Sequence, residues 1–293
     1  MFKLFGKKHA DPPEEAPAVQ ASALAKHPEA VALAAQFDQE EFDILAVTGA
    51  NGFGGDKVPE AEFWTATLPL VAWREGDGPI HEEDTCLVSL ADDILLDYLK
   101  RRAQKDSIIQ ARVRQGLEDD RFLLVGLPTP IMDSDLKAIL DEKTREVSTW
   151  VSGLGTFVLN RSVNWYQADV EWLDQPIQLT YDPNTEEATK DTQMTALALM
   201  SDQAGWDQRI RAYAADKLLP LAGALPQDEE QEESEAEEVT PEEFMSRIEL
   251  ESIQTYPDGR FAFWFHDGDL SSERSIQVSG SLSDGPSDAN IEE

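Results

Sequence analysis

Residues 155–180 read GTFVLNRSVNWYQADVEWLDQPIQLT, and this stretch decides the fold class. Phe157, Leu159, Val163, Trp165, Val170, Trp172, Ile177 and Leu179 alternate with polar residues and short turns. A period of two places one side of each strand on a core and leaves the other side in water. Asn160-Arg161 and Asp182-Pro-Asn184 carry turn chemistry, and Gly153 and Gly155 stand where the chain must bend. The pattern predicts a meander of about four antiparallel strands. Trp165 and Trp172 are seven residues apart. That spacing puts them on opposite faces of one continuous strand, or on one face across a hairpin. A turn near Gln167–Ala168 favours the hairpin, with the two rings as a packed pair. The functional alternative is an exposed aromatic binding surface.

Outward from this stretch, helix and strand patterns alternate. A long helix is predicted from Lys190 to about Leu225, broken at Gly205, with Trp206, Ile210, Ala214 and Leu218 on its apolar face. From Asp228 to Glu243 there are ten acids and no base. Mutual repulsion and hydration make 226–240 a solvated loop. Thr240-Pro-Glu-Glu243 is a capping box with proline in the first turn, and it opens a helix on Phe244. Ile253–Tyr256 and Arg260–Phe265 read as strands joined by an Asp258-Gly259 hairpin turn. Ser275–Ser279 reads as the last strand, and 284–293 as a frayed tail.

The region before the meander is read the same way. Residues 1–27, rich in Ala, Pro and Glu, are expected to be disordered. Val31, Ala34, Phe37 and Phe42 recur at helical spacing, which predicts a helix over Pro28–Asp43. Gly49-Ala-Asn-Gly-Phe-Gly-Gly55 is a glycine-rich loop. No Gly-Lys-Ser/Thr follows it, so it is a surface loop and not a phosphate cradle. Strands are expected at Phe63–Trp73, with Trp64, Ala66, Leu68, Leu70 and Ala72 on one face, and at Thr85–Leu90, Ile108–Val113 and Phe122–Leu127. Asp92-Asp93 should cap a helix that turns Ile94, Leu95, Tyr98 and Leu99 inward, and Ser134 should cap a second over Asp135–Lys143. Strands with interleaved helices and no βαβ rhythm define an α+β chain. The expected layout is two domains, 28–147 and 148–283, each an antiparallel sheet with packed helices.

Leu154-Gly-Thr-Phe157, Trp165-Tyr166, Val170-Glu-Trp172 and Trp206-Asp207 form an ordered series. Tyr213-Ala-Ala-Asp-Lys-Leu-Leu219, Thr240-Pro-Glu-Glu-Phe244 and Phe265-His-Asp-Gly-Asp-Leu270 continue it. Over roughly 148–282 this series resembles the bacterial DUF2262 family of uncharacterised domains. The resemblance implies an antiparallel sheet with packed helices and carries no established activity. Members tend to follow Asp-Gly-Asp-Leu with Phe, an aromatic residue, Gly and His. Here Ser271, Ser272, Glu273 and Arg274 stand there, so any chemistry of a family histidine in that loop is missing.

The 293 residues carry a net charge of −34, and 41% of them are hydrophobic. That surplus excludes tracking of a phosphate backbone as the main task, so no nucleic-acid partner is expected. No apolar run reaches the ~18 residues a spanning helix requires, so stable membrane insertion is not expected either. The lone cysteine, Cys86, excludes a disulfide framework and suits a reducing cytoplasm. The lead expectation is a non-enzymatic interaction protein, an immunity-like or regulatory binder of a basic protein. Its candidate contacts are Glu229, Glu230, Glu232 and Glu233 in the acid run, with Trp165 and Trp172. The alternative is a metal-assisted hydrolase using His266, Asp267 and Asp269. One histidine and two acids fall short of a metal site without further ligands, so no metal or other cofactor is expected.

Overall fold

A computed structural model describes residues 27–59, 61–222, 239–268 and 275–292. The chain divides into two compact units, Met1–Arg145 and Glu146–Glu293. The chain is α+β, as expected, and the expected run 1–27 lies almost wholly outside the described residues.

The first unit is built on strands β1 (Phe42–Thr48), β2 (Gly54–Asp56), β3 (Trp64–Glu75), β4 (Thr85–Ala91), β5 (Ile108–Gln115), β6 (Phe122–Leu124) and β7 (Thr129–Pro130). Helix α1 (Pro28–Ala34) precedes them, α2 (Asp93–Arg102) separates β4 from β5, and α3 (Ser134–Lys143) follows. β1 pairs with both β3 and β5; β3 pairs with β4, β4 with β6, and β6 with β5. The five strands therefore close on themselves, and only the β4–β6 joint is parallel. This is the strand path of the small Greek-key barrels known as OB folds, with the helix after the third barrel strand. β2 and β7 extend β3 and β5. Ile44, Ala46, Leu68, Leu87, Ala111 and Phe122 belong to the barrel core.

Several expectations are corrected here. The helix does not reach Asp43: α1 stops at Ala34, and Phe42-Asp-Ile-Leu-Ala-Val-Thr48 is the strand that joins both sides of the ring. Phe37, part of the apparent helical stripe, is buried because its backbone bridges to Gly116. On β3 the register slips between Val47 and Thr48, leaving Val71 as an extra residue. A bulge of this kind inverts the alternation beyond it. Ala66, Leu68 and Leu70 consequently face the barrel, whereas Ala72 packs with Val47, Ile108 and Leu136 beside α3. Ile94 is 54% exposed, and Leu96 takes the inward place expected for it. The last barrel strand ends at Leu124, short of Leu127. Asp133, one residue before Ser134, caps α3 by accepting from Leu136 N–H at 2.9 Å. That N–H, and then the Arg74 guanidinium, hold the Asp133 carboxyl below the usual carboxylate range.

The second unit is one eight-stranded sheet in the order β15-β14-β13-β12-β11-β10-β9-β8. The strands are β8 (Ser148–Val151), β9 (Gly155–Asn160), β10 (Trp165–Trp172), β11 (Gln175–Tyr181), β12 (Glu249–Thr255), β13 (Arg260–His266), β14 (Ser275–Ser281) and β15 (Gly285–Glu292). The first four form the predicted meander. Between β11 and β12 the chain leaves the sheet through α4 (Glu186–Ser201), α5 (Gln203–Ala222) and α6 (Pro241–Arg247), and β12 returns parallel to β11. The helices bury Leu199, Trp206, Ile210, Leu218 and Phe244 against Phe157, Trp172, Phe263 and Phe265.

Here too the structure differs in places. The helix break falls at Asp202, and Gly205 sits inside α5, where its N–H donates to Asp202 Oδ1 at 3.2 Å. Residues 285–292 are not frayed, because β15 pairs with β14 from Ser275–Glu292 to Ser281–Gly285. β10 runs unbroken from Trp165 to Trp172, with no turn at Gln167–Ala168. The reversal comes at Leu173 and Asp174, both with positive φ (50° and 65°), between the paired Trp172 and Gln175. Leu173 is a residue with no ease in that region. Gln203 braces it, since its Oε1 accepts from Leu173 N–H at 2.9 Å and its Nε2 donates to Glu171 O at 3.0 Å. The second hairpin turn uses Asp258 and Gly259 at φ 61° and 70°, as the sequence predicts.

Candidate functional site

With the core on the helical side of the sheet, alternation sends every second side chain to the opposite face. Register fixes which ones. One row crosses from β9 to β14 as Val158, Gln167, Thr180, Gln254, Ala262 and Ser279. The adjacent row reads Gln178, Ser252, Trp264, Gln277 and Asn290 from β11 to β15, with Trp150 opposite Thr156 on β8 and β9. The two rows contain acids only at Asp169 and Asp288, and no base. For a chain with 28% charged residues this is a depleted strip. Charge returns at both margins: at one, Glu249 pairs with His266 and Ser275 with Glu292, and Glu171 stands at the end of β10; at the other, Arg260 stands opposite Ser281.

Amides and indoles fix one another on this face. Gln167 Oε1 accepts from Asn160 Nδ2 at 3.0 Å and from Trp165 Nε1 at 3.3 Å. That holds the Trp165 ring while leaving it partly exposed. Trp150 is 70% exposed on edge strand β8, and Trp264 is partly exposed on β13. Trp150, Trp264, Gln254 and Gln277 escape sequence reading, because each shows only as the polar or aromatic alternate of its own strand. Their assembly into rows depends on pairings between segments far apart in the chain.

The two expected aromatic contacts do not form one pair. Trp165 lies on the open face. Trp172 is 2% exposed in the core, donates through Nε1 to Asp207 Oδ1 at 3.1 Å, and meets Phe263 edge-on at 5.5 Å between centroids. The proposed contacts Glu229, Glu230, Glu232 and Glu233 lie outside the described residues, as do Asp269 and the Ser271–Arg274 loop. His266 projects from the end of β13 at the acidic margin. Its Nδ1 accepts from Gly268 N–H at 3.1 Å, so the unshared pair on that nitrogen is engaged. Asp267 is buried, and its Oδ1 stands 4.0 Å from His266 Nδ1. Gly268 is at φ +63°, and a Cβ there would come within 2.3 Å of Arg247 O, so glycine alone fits beneath this corner. Among the described residues no group of three or more His, Cys, Asp or Glu side chains is placed to hold a metal. Cys86 sits on β4, where burial pushes its thiol pKa up and away from the reactive thiolate. No described helix is long and apolar enough to cross a membrane.

The second unit is thus a sheet domain backed by helices on one side; on the other, Trp150, Gln178 and Asn290 are exposed, while Thr180 and Ala262 in the middle of the face are buried. Residues 152–291, nearly all of this unit, match the family described as an uncharacterized protein conserved in bacteria (DUF2262). Residues 29–143, the barrel unit, match a domain of unknown function, DUF7021. No similar curated protein and no similar solved structure was found.

Proposed function

We propose that this chain is a protein-binding module whose open sheet face receives a basic partner. The observation that supports this most directly is the charge-depleted double row, with Trp150, Trp165 and Trp264 on the same face. Protein interfaces have a core depleted of charge and enriched in aromatic residues, surrounded by a polar rim. Eight strands at ~4.8 Å spacing span roughly 35 Å, and two or three rows at ~7 Å spacing add about 15–20 Å. That gives about 600 Å², close to the ~800 Å² that one partner contributes to a standard interface. The acid excess of the chain, the run around Glu229–Glu233 included, acts at longer range by raising the rate of encounter with a positive surface. On this reading the chain works without a cofactor, in the cytoplasm, as an immunity-like or regulatory binder.

The test is affinity capture from the native host with the wild type and with a Gln178→Arg, Gln277→Arg double variant. Both positions lie in the depleted row and outside the core, so the melting temperature should stay within a few degrees. The expected result is a basic protein retained by the wild type and lost by the variant. Its association rate should fall steeply between 0.1 M and 1 M salt, as the screening length drops from ~10 Å to ~3 Å. Equal capture by both chains, or an on-rate indifferent to salt, would reject the proposal.

A further inference from the structure

The eight-stranded sheet has one parallel joint, β11 with β12, registered from Gln178–Ser252 to Thr180–Gln254. Both strands run toward the same end of the sheet. There β11 gives way to Asp182-Pro-Asn184 and α4, and β12 to the turn Tyr256-Pro-Asp-Gly259. A crossover between parallel strands leaves a crevice at their carboxyl ends, and open α/β sheets hold their ligands in such a place. A pocket of about 220 Å³ lies at this end. Asp182, Asn184, Thr192, Thr255, Tyr256 and Arg260 line it, with Pro257.

The wall supplied by α4 is held in place from behind. Asp191 Oδ2 accepts from Asp258 N–H at 2.5 Å, and Thr195 Oγ1 shares its proton between Asp191 O and Tyr256 O, each at 3.2 Å. Thr192 stands between these two residues and is 3% exposed. Its hydroxyl meets no partner among the described residues, yet the oxygen is not sealed from water, so it opens into the pocket that Thr192 lines. A hydroxyl in such a position still needs a hydrogen bond from whatever occupies the space.

Two opposite charges border the same small space without pairing with each other. Arg260 has no carboxylate within ion-pair reach among the described residues, in a chain of 58 acids and 24 bases. Its guanidinium rests 5.7 Å from the centre of the Tyr256 ring. Asp182 has no cation beside it among the described residues; the Gln254 amide, a neutral donor, stands 3.5 Å from its Oδ1. Both charges act on the Tyr256 hydroxyl: burial first, then Asp182, push its pKa up, while Arg260 pulls it down. The carboxylate and the guanidinium therefore share one neighbourhood, and the remaining lining groups are uncharged. A simple anion here would be repelled by Asp182 and a simple cation by Arg260, whereas a molecule carrying both charges is attracted by each.

We infer that this crevice binds a free α-amino acid with an uncharged side chain, its carboxylate on Arg260 and Thr192 Oγ1 and its ammonium on Asp182. Since a cavity of about 150 Å³ holds a benzene ring, one of about 220 Å³ takes roughly eight or nine heavy atoms, as in threonine or valine. Thr192 belongs to α4, and Thr255 alternates with the core residue Ile253, so the site lies on the helical side of the sheet. It does not depend on the face proposed to receive a partner.

The experiment uses the full chain with labelled Thr methyl groups, titrated by NMR with L-threonine in slightly acidic buffer. The methyls of Thr192 and Thr255 should shift. L-Threoninamide, which lacks the carboxylate, and N-acetyl-L-threonine, which lacks the ammonium, should each bind at least tenfold more weakly, as the loss of a charge-assisted bond requires. Arg260→Met should close the gap between threonine and its amide, and Asp182→Asn the gap between threonine and its acetyl derivative. Both side chains are exposed, so the melting temperature of each variant should stay within a few degrees. Thr192→Val, which keeps the shape and removes the hydroxyl, should weaken threonine by about two- to tenfold. Unmoved methyls at millimolar threonine would mean a crevice filled by water only and would overturn the inference. So would either derivative, or glucose, binding as tightly as threonine, or a gap to the amide that survives Arg260→Met.

Discussion

Trp172→Ala should destabilise the C-terminal unit by about 3–5 kcal/mol, the range for removing a large buried aromatic side chain. Trp165→Ala should cost less than about 1 kcal/mol, as substitutions of partly exposed residues do. The contrast follows from one unbroken strand with seven residues between the rings. Trp172 loses its edge contact with Phe263 and its bond to Asp207, and leaves a cavity between β10 and α5. Trp165 gives up only a bond to the amide of Gln167 on the open face. Urea unfolding of both variants, followed by far-UV circular dichroism, measures the two costs. Comparable losses would show the rings to be partners across a hairpin, against the strand described here.

Arg211→Met should lower stability by about 2–3 kcal/mol, somewhat below the 3–5 kcal/mol for breaking a fully buried pair, because both partners keep some contact with water. Arg211 Nε donates to Asp207 Oδ2 at 2.8 Å, and Nη1 donates to the carbonyls of Met245 at 2.9 Å and Ile248 at 2.5 Å. Those carbonyls belong to the end of α6, where the helix has no N–H groups left to meet them. The guanidinium also lies 5.2 Å from the centre of the Phe265 ring. One side chain therefore joins α5, α6 and β13, while Asp207 carries the chain of bonds on to Trp172 in β10. Met retains the aliphatic bulk and removes only the donors, so thermal unfolding of this variant reports the network itself. A shift of less than about 1 °C, against the several degrees that 2 kcal/mol implies, would show the bonds to be incidental.

The same residues explain what could be read in advance. Asp258-Gly259 announces its hairpin because both residues tolerate positive φ. Leu173-Asp174 makes an equivalent reversal with no such signature, since the strain on leucine is met by Gln203 from α5, thirty residues away in sequence. The strand at Phe42–Thr48 is hidden by Val31, Ala34 and Phe37, whose spacing imitates a helix continuing through it. Only the closure of the barrel shows that Phe42–Thr48 has a strand on either side. The polar β15 reads as a tail because its partner, not its own pattern, orders it. The predicted meander and the capping box at Thr240 hold because their causes are local. The open face is invisible for the opposite reason: every strand contributes two residues to it, and their alignment is a property of eight segments together.

That sheet also has two ends. β15 is an awkward template for further growth, with Pro286, Asp288 and Glu292 along it. β8, Ser148-Thr-Trp-Val151, has neither proline nor charge within it and presents an exposed indole. Two such margins from separate molecules could zip into one continuous sheet. What keeps them apart in neutral solution is colloidal: each copy carries the same large negative charge and repels the other before hydrogen bonds can form. The acid excess thereby doubles as a guard on an otherwise undefended strand, and the guard is lifted as the medium approaches the isoelectric point near 4.2.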